Sequence, residues 1–242
     1  MIRIILLSLV ISGVMFSDQL LLGNQRFDCE VYDACTSIQG NCGVATGVMK
    51  GEISSVYLVK VNSTPTIEWE TTSNFSNGAD EYGFGICALS VPLPICPTAE
   101  YAVCGYVDNP LNHGIPSIYL FDGEGNLITC MVYDSYIEGC FKSVIQMRNG
   151  GLALLGESEV EGIDRIFVMA LDRRLEHVWH NVYTSTSGSA YTYPNCLLQT
   201  DPTVGDYLIA LVTPIAADGT YASVVCFDND NMGTITDYVS TC

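Results

Sequence analysis

Basic residues are scarce in this chain, and long apolar runs are scarcer. Nine Lys and Arg stand against 27 Asp and Glu in 242 residues, a formal net charge of −18. A field of that sign repels phosphate backbones and anionic headgroups, and no basic stripe overcomes it locally. Nucleic acid is therefore excluded as a partner. No stretch of ten residues carries an apolar period of 3.6, so helices are not available to cover a sheet. Catalytic signatures are also missing: there is no G-x-S-x-G elbow and no H-E-x-x-H. C-x-x-C pairs do not occur, and the three histidines (His113, His177, His180) do not cluster with cysteines, which argues against zinc. No cofactor is implied.

The first residues, "MIRIILLSLVISGVMFSDQ", place one basic residue, Arg3, before an apolar run from Ile4 to Phe16. This is the pattern of a secretory signal and is short for a membrane span. Residues 1–17 are therefore expected to be removed, leaving a secreted or cell-surface protein with no membrane span. Eleven cysteines follow, none in the leader. In an exported chain they point to disulfides, with candidates Cys29, Cys35, Cys42, Cys87, Cys104 and Cys242. The odd number leaves one thiol free or pairs it between chains. Asn62-Ser63-Thr64 and Asn74-Phe75-Ser76 are acceptor sequons, making Asn62 and Asn74 the candidate glycosylation sites.

The rest of the chain is repetitive. "SVYLVKVNSTPTIEWETT" (55–72), "SIYLFDGEGNLITCMVYDS" (117–135), "DRIFVMALDRRLEHVWHNVY" (164–183) and "YASVVCFDNDNMGTITDYVS" (221–240) each read as apolar strand, polar turn, second strand. The turns are anchored on Asn62, Asp122, Asp172 and Asp228, separated by 60, 50 and 56 residues. Before each lies another strand–turn–strand segment whose second strand is small and apolar. Four short strands per fifty-odd residues is the period of a propeller or solenoid. Strands such as "RIFVMAL", "GLALLG" and "YLIAL" have no polar face, as expected for blade strands buried between two neighbours. The expected fold is all-β and β-propeller-like. It comprises four repeats of about four antiparallel strands in one domain, 18–242, with units near 28–79, 80–135, 136–188 and 189–242.

The units resemble bacterial-type extracellular β-propeller repeats that run "GGY…AG…DVYLVKLDSNGNVIWEKTYG". The likeness is strongest in residues 149–183 and 55–72 and covers nearly all of 28–242. Cys130 and Ile235 stand near where the repeat places its tryptophan, and the glycine pair is clear only at Gly150-Gly151. The resemblance implies a propeller and an extracellular or surface location, and it carries over no catalytic residue.

Few positions stand out for chemistry. His177 and His180, three apart on a strand, are expected on opposite faces and unable to share an ion. Trp179 is expected between blades. His113 falls in a turn-rich segment, with Asp108–Pro116 and Val91–Ala99 expected as the largest loops. "DNDNMG" (228–233) begins like a calcium loop but has Met232 where an oxygen ligand is needed, so it is read as a hairpin turn. The function expected first is a non-catalytic structural or assembling protein whose partners are other subunits. A module binding surface glycans or proteins, with Tyr191 and Tyr193 as its instruments, comes second, and a polysaccharide-acting enzyme third. The first unit supplies its own inner strand and the last its own outer strand. Ring closure is thus expected to need another lock, a Cys29–Cys242 bond.

Overall fold

A computed structural model describes residues 29–241 apart from 39, 65, 77, 110–111, 161–162, 184–190, 202, 204, 217–218, 221 and 231, plus a two-residue ladder at 10–11 and 14–15. The signal segment otherwise lies outside the described residues, as does Cys242.

The chain folds into a four-bladed β-propeller without a helix among the described residues. Each blade is an antiparallel sheet of four strands taken in chain order, the last with a fifth short strand added. The first blade comprises Cys29–Thr36, Cys42–Met49, Ser55–Asn62 and Ile67–Ser73. The second comprises Glu81–Ala88, Tyr101–Asn109, Asn112–Phe121 and Leu127–Val132, and the third Cys140–Gln146, Leu152–Val160, Ile163–Leu171 and His177–Tyr183. The fourth comprises Tyr191–Gln199, Tyr207–Ala216, Ala222–Asp228 and Thr234–Thr241, with Gly219–Thr220 added beside Tyr207–Ala216. Among the described residues no strand is exchanged between blades. First strands of successive blades lie against one another, so they are the innermost.

The unbroken apolar strands serve two cores at once. In the third blade Leu152, Leu154, Phe167, Met169 and Leu171 face the second blade, while Ala153, Leu155, Ile166, Val168 and Ala170 face the fourth. The period is still two, but it alternates core with core rather than core with water.

Three of the four turn anchors, Asn62, Asp122 and Asp172, act as the spacing implied. The side-chain oxygen of Asn62 accepts hydrogen bonds from the backbone N–H of Thr64 and Thr66, both at 3.0 Å. Asp122 does the same for Glu124 and Asn126, and Asp172 for Arg174 and Glu176. Asx chemistry of this kind closes a tight loop without help from the sheet. Leu175, at φ 60°, takes the left-handed position in the third turn and is buried there. The phenol of Tyr133 donates to its carbonyl from the second blade, at 3.1 Å.

Two outer strands, in the first and third blades, lock onto the turn of the next blade. The indole N–H of Trp69 donates to the carbonyl of Gly123 at 3.1 Å, and its ring lies against Gly125. Trp179 packs on Gly233 in the same way.

One expected loop is not a loop, while Val91–Ala99 is one, joining Glu81–Ala88 to Tyr101–Asn109. Asp108–Pro116 is mostly strand: Tyr101–Asn109 and Asn112–Phe121 stay paired as far as Asn109 opposite Asn112. The alternation in that stretch continues far enough for the ladder to outlast the turn residues. Val91–Ala99 is docked rather than free. Leu93, Cys96 and Ala99 enter the core between the second and third blades. The Gln146 amide also grips Val91, donating to its carbonyl at 2.7 Å and accepting its N–H at 2.9 Å.

No disulfide joins any two of the described cysteines. Of the candidates, Cys35, Cys42, Cys87 and Cys104 are free thiols, the last three buried. Burial, and secondarily the Asp33 carboxylate, pushes the Cys35 thiol up to about 12. A thiol held neutral in this way is a poor nucleophile for forming a bond.

Candidate functional site

The inner strand of every blade carries a β-bulge at the same place. Val31 opposes Gly47 and Asp33 opposes Thr46, leaving Tyr32 without a partner on the neighbouring strand. Phe84, Lys142 and Asn195 are the extra residues in the second, third and fourth blades. A bulge bends the strand and re-aims one side chain, so the propeller turns four equivalent residues out of its ladders around the axis.

What makes room for the bulge is a glycine on the second strand. A Cβ on Gly47 would stand 1.8 Å from the carbonyl oxygen of Glu30, and one on Gly105 1.7 Å from that of Tyr82. At Gly156 the corresponding carbonyl is that of Cys140, 2.6 Å away. In each case the carbonyl lies two residues before the bulged residue. The fourth blade has Val212 at this position.

The residue after the bulge joins inner strands together. Asp33 accepts the backbone N–H of Ile86 at 2.9 Å and that of Ala34 at 2.8 Å. Ser143 accepts the N–H of Leu197 at 3.3 Å. Between them, Gly85 meets the backbone of Lys142 and Ser143 so closely that a Cβ would stand 2.8 Å from the Lys142 carbonyl. Desolvation holds the Asp33 carboxyl above the usual range, partly offset by the two N–H groups.

Three of the four bulge residues converge. The Tyr32 and Phe84 rings lie 5.0 Å apart, tilted by 58°. The ammonium of Lys142 sits over the Phe84 ring, 3.7 Å from its centroid. Tyr82 and Tyr106 extend the surface, stacked on each other at 4.6 Å and 7° and on Phe84 at 6.3 Å and 5.8 Å. Asn195, exposed, holds the same register position in the fourth blade.

Charge frames this platform. Lys142 pairs with Glu157 at 3.0 Å. Burial opposes the lysine charge, but Cys140 and Glu157 more than compensate and hold its pKa above the ordinary value. Glu30 accepts the Tyr32 phenol at 2.6 Å and pairs with Lys50. Those hydrogen bonds, that of Lys50 first, hold the Glu30 carboxyl below its ordinary range. Burial first pushes the Cys140 thiol up to about 12, with Lys142 opposing the shift and Glu157 adding to it. The site therefore offers π faces, one fixed cation and two hydrogen-bonding carboxylates. It offers no activated thiol among these groups.

The sequence did not single out Tyr32, Phe84, Lys142 or Asn195. The signal available was the recurrence of Gly47, Gly105 and Gly156, spaced 58 and 51 residues apart within small apolar strands. The residues it did single out lie elsewhere. Asn62 spends its side-chain oxygen on the first outer turn, and the Asn74 amide donates to the carbonyls of Ser54 and Ala79 at 3.3 and 3.0 Å. Cys29 opens the first inner strand. The side chains of His113, Tyr191 and Tyr193 lie outside the described residues.

His177 and His180 correct the expectation of opposite faces. Leu171 opposes His177 and Ala170 opposes Trp179, so Val178 is a bulge. The extra residue restores both histidines to one face, where Nε2 of His177 and Nδ1 of His180 are hydrogen-bonded at 2.9 Å. Tyr136 stacks on His177 at 4.3 Å and meets His180 edge-on at 6.4 Å. Burial, then His180, holds the His177 imidazole below the ordinary histidine value.

No protein-family profile matches the chain, and no curated protein matches it. Among solved structures the fold is similar to an endo-arabinase from Bacteroides thetaiotaomicron, with 13% identity and a TM-score of 0.50 over 88% of this chain and 81% of that one. A eukaryotic initiation factor matches at 10% identity and a TM-score of 0.39, over 87% of this chain and 55% of the other. An apocarotenoid oxygenase from Synechocystis matches at 10% and 0.35, over 88% and 61%. At these identities the likeness concerns fold.

Proposed function

We propose that this chain is a secreted or cell-surface, non-catalytic β-propeller of the bacterial extracellular repeat type that binds glycans through the platform at its axis. The observation that carries the reading is the convergence of Tyr32, Phe84, Tyr82 and Tyr106 beside the fixed ammonium of Lys142. A sugar ring presents C–H groups on one face and hydroxyls around its rim. The electron-rich face of an aromatic ring matches the first, while Lys142, Glu30 and the tyrosine hydroxyls match the second. Rigid aromatics lose little rotamer freedom when they bind, which suits a preformed site. The endo-arabinase that shares the fold is named for action on a glycan, the class of ligand that this platform suits.

Affinity electrophoresis through gels containing neutral plant and bacterial polysaccharides tests this. Retardation by at least one polysaccharide, lost in Tyr32→Ala and Tyr82→Ala with the fold intact, is the expected result. Equal mobility of wild type and both variants in every gel, or release of reducing sugar by the wild type, would overturn the reading.

A second reading, a self-assembling subunit, draws on the fourth blade. Leu198 and Leu211 are 59% and 37% exposed on that blade, and among the described residues the first and fourth blades show no packing comparable to the other three junctions. Light scattering that gives a mass independent of concentration and equal to one chain excludes it.

A further inference from the structure

The geometry points to a metal site on the outer strand of the third blade, where His177 and His180 take one square-planar divalent ion such as Ni(II) or Cu(II). The Val178 bulge places the two imidazoles on one face, with Nε2 of one and Nδ1 of the other 2.9 Å apart. A metal–imidazole bond is about 2.0–2.1 Å, so two nitrogens at this separation subtend an angle of about 90° at a shared ion. That is the cis angle of a square-planar site, whereas a tetrahedral ion at the same bond length would need the nitrogens about 3.3 Å apart. Two imidazole nitrogens in cis positions suit Ni(II) or Cu(II), once both rings turn from their hydrogen bond toward the ion.

The rings are close to ready. One nitrogen now donates a proton to the other; on metal binding the donating ring carries that proton on its second nitrogen, and both bridging atoms become ligands. Each ring tilts away from the line joining the nitrogens, a motion that the broad χ2 wells of histidine allow. Tyr136, stacked on His177, limits that ring to few orientations and so reduces the ordering cost. Among the described residues no group of three or more His, Cys, Asp or Glu gathers around one point. The protein thus supplies two ligands, and water or a ligand from solution completes the plane. This proposal is independent of the axial platform, on a different strand of the propeller.

Untagged protein titrated with Ni(II) by calorimetry, with Cu(II) paramagnetic resonance in parallel, tests the site. The expected result is one saturable ion per chain, with the splitting pattern of two equivalent-class nitrogens in the copper spectrum. His177→Ala and His180→Ala should each weaken Ni(II) binding by about 100-fold or more, because the second ligand acts at high effective concentration. His180→Asn guards against a packing effect, and His113→Ala should change nothing. Tyr136→Ala should weaken binding by about tenfold. Absence of a saturable site, or a site equally strong in both histidine variants, overturns the proposal; in the second case the thiols bind the ion.

Discussion

The carboxylate of Asp33, in the inner strand of the first blade, accepts the backbone N–H of Ile86 in the second, 2.9 Å away. This bond joins two blades next to the bulge that presents Tyr32, so it supports both the ring and the platform. The acid is held above its ordinary pKa chiefly by desolvation. A raised carboxyl favours the folded state when neutral: its contribution is full below the unfolded value and is lost as pH rises through the folded one. Asp33→Ala should destabilise by about 1–3 kcal/mol at neutral pH, by stranding the Ile86 N–H. Asp33→Asn keeps one acceptor oxygen and removes the charge, so it should cost less. Melting followed from neutral pH downward should show wild type gaining on Asp33→Asn as the carboxyl protonates; a constant difference between the two would contradict the assignment.

Trp179 and Gly233 form a matched pair. The indole is 5% exposed, and a Cβ on Gly233 would stand 2.2 Å from its ring. Trp179→Ala should cost about 3–5 kcal/mol, as expected for truncating a buried large aromatic. Gly233→Ala should also be strongly destabilising, from the clash and from its φ of 72°. The double variant should be less unstable than the sum, because removing the indole removes the clash. His177→Ala should stay within about 1 kcal/mol. Urea denaturation of the four variants gives all of these values.

The glycines opposite the bulges should tolerate no side chain. Gly47→Ala and Gly105→Ala each force a Cβ into a backbone carbonyl at under 2 Å. Since neither strand can retreat without breaking the ladder, both variants should fail to fold or lose several kcal/mol. At Gly51 an added Cβ would meet nothing nearer than 3.4 Å, so this position should accept alanine within about 0.5 kcal/mol. Soluble yield and thermal melting separate the two classes.

Closure of the ring is expected to involve Cys29 and Cys242. Among the described residues each blade is built from its own segment of chain, and no exchanged strand locks the last blade to the first. A bond between these cysteines would close nearly the whole mature chain and, in the chain-entropy model, add about 4–5 kcal/mol before strain. Peptide mapping of exported protein without reduction should find Cys29 joined to Cys242 within one chain, with the mature chain beginning near residue 18. A Cys242 linked to a second chain would favour the assembling subunit instead.

Periodicity and turn chemistry were readable along the chain because both are local. The unbroken apolar run of "RIFVMAL" and the Asx anchors at Asn62, Asp122 and Asp172 depend on neighbours a few residues away, and four copies of one pattern imply four blades. The burial of strands on both faces followed from their lack of any polar side. The platform was different. A bulge adds one residue to one strand, and only pairing with the next strand reveals which residue is extra. Tyr32, Phe84 and Lys142 thus looked like ordinary strand positions 52 and 58 residues apart, and their meeting depends on how three blades pack around the axis. The same cause reversed the reading of His177 and His180: counted along the strand they part, and the Val178 bulge brings them together. Side-chain direction in a strand has a period of two, so a single inserted residue inverts everything beyond it. That insertion shows only in the pairing with the neighbouring strand, and at three of the inner-strand bulges it comes with the close approach of a carbonyl to a glycine there.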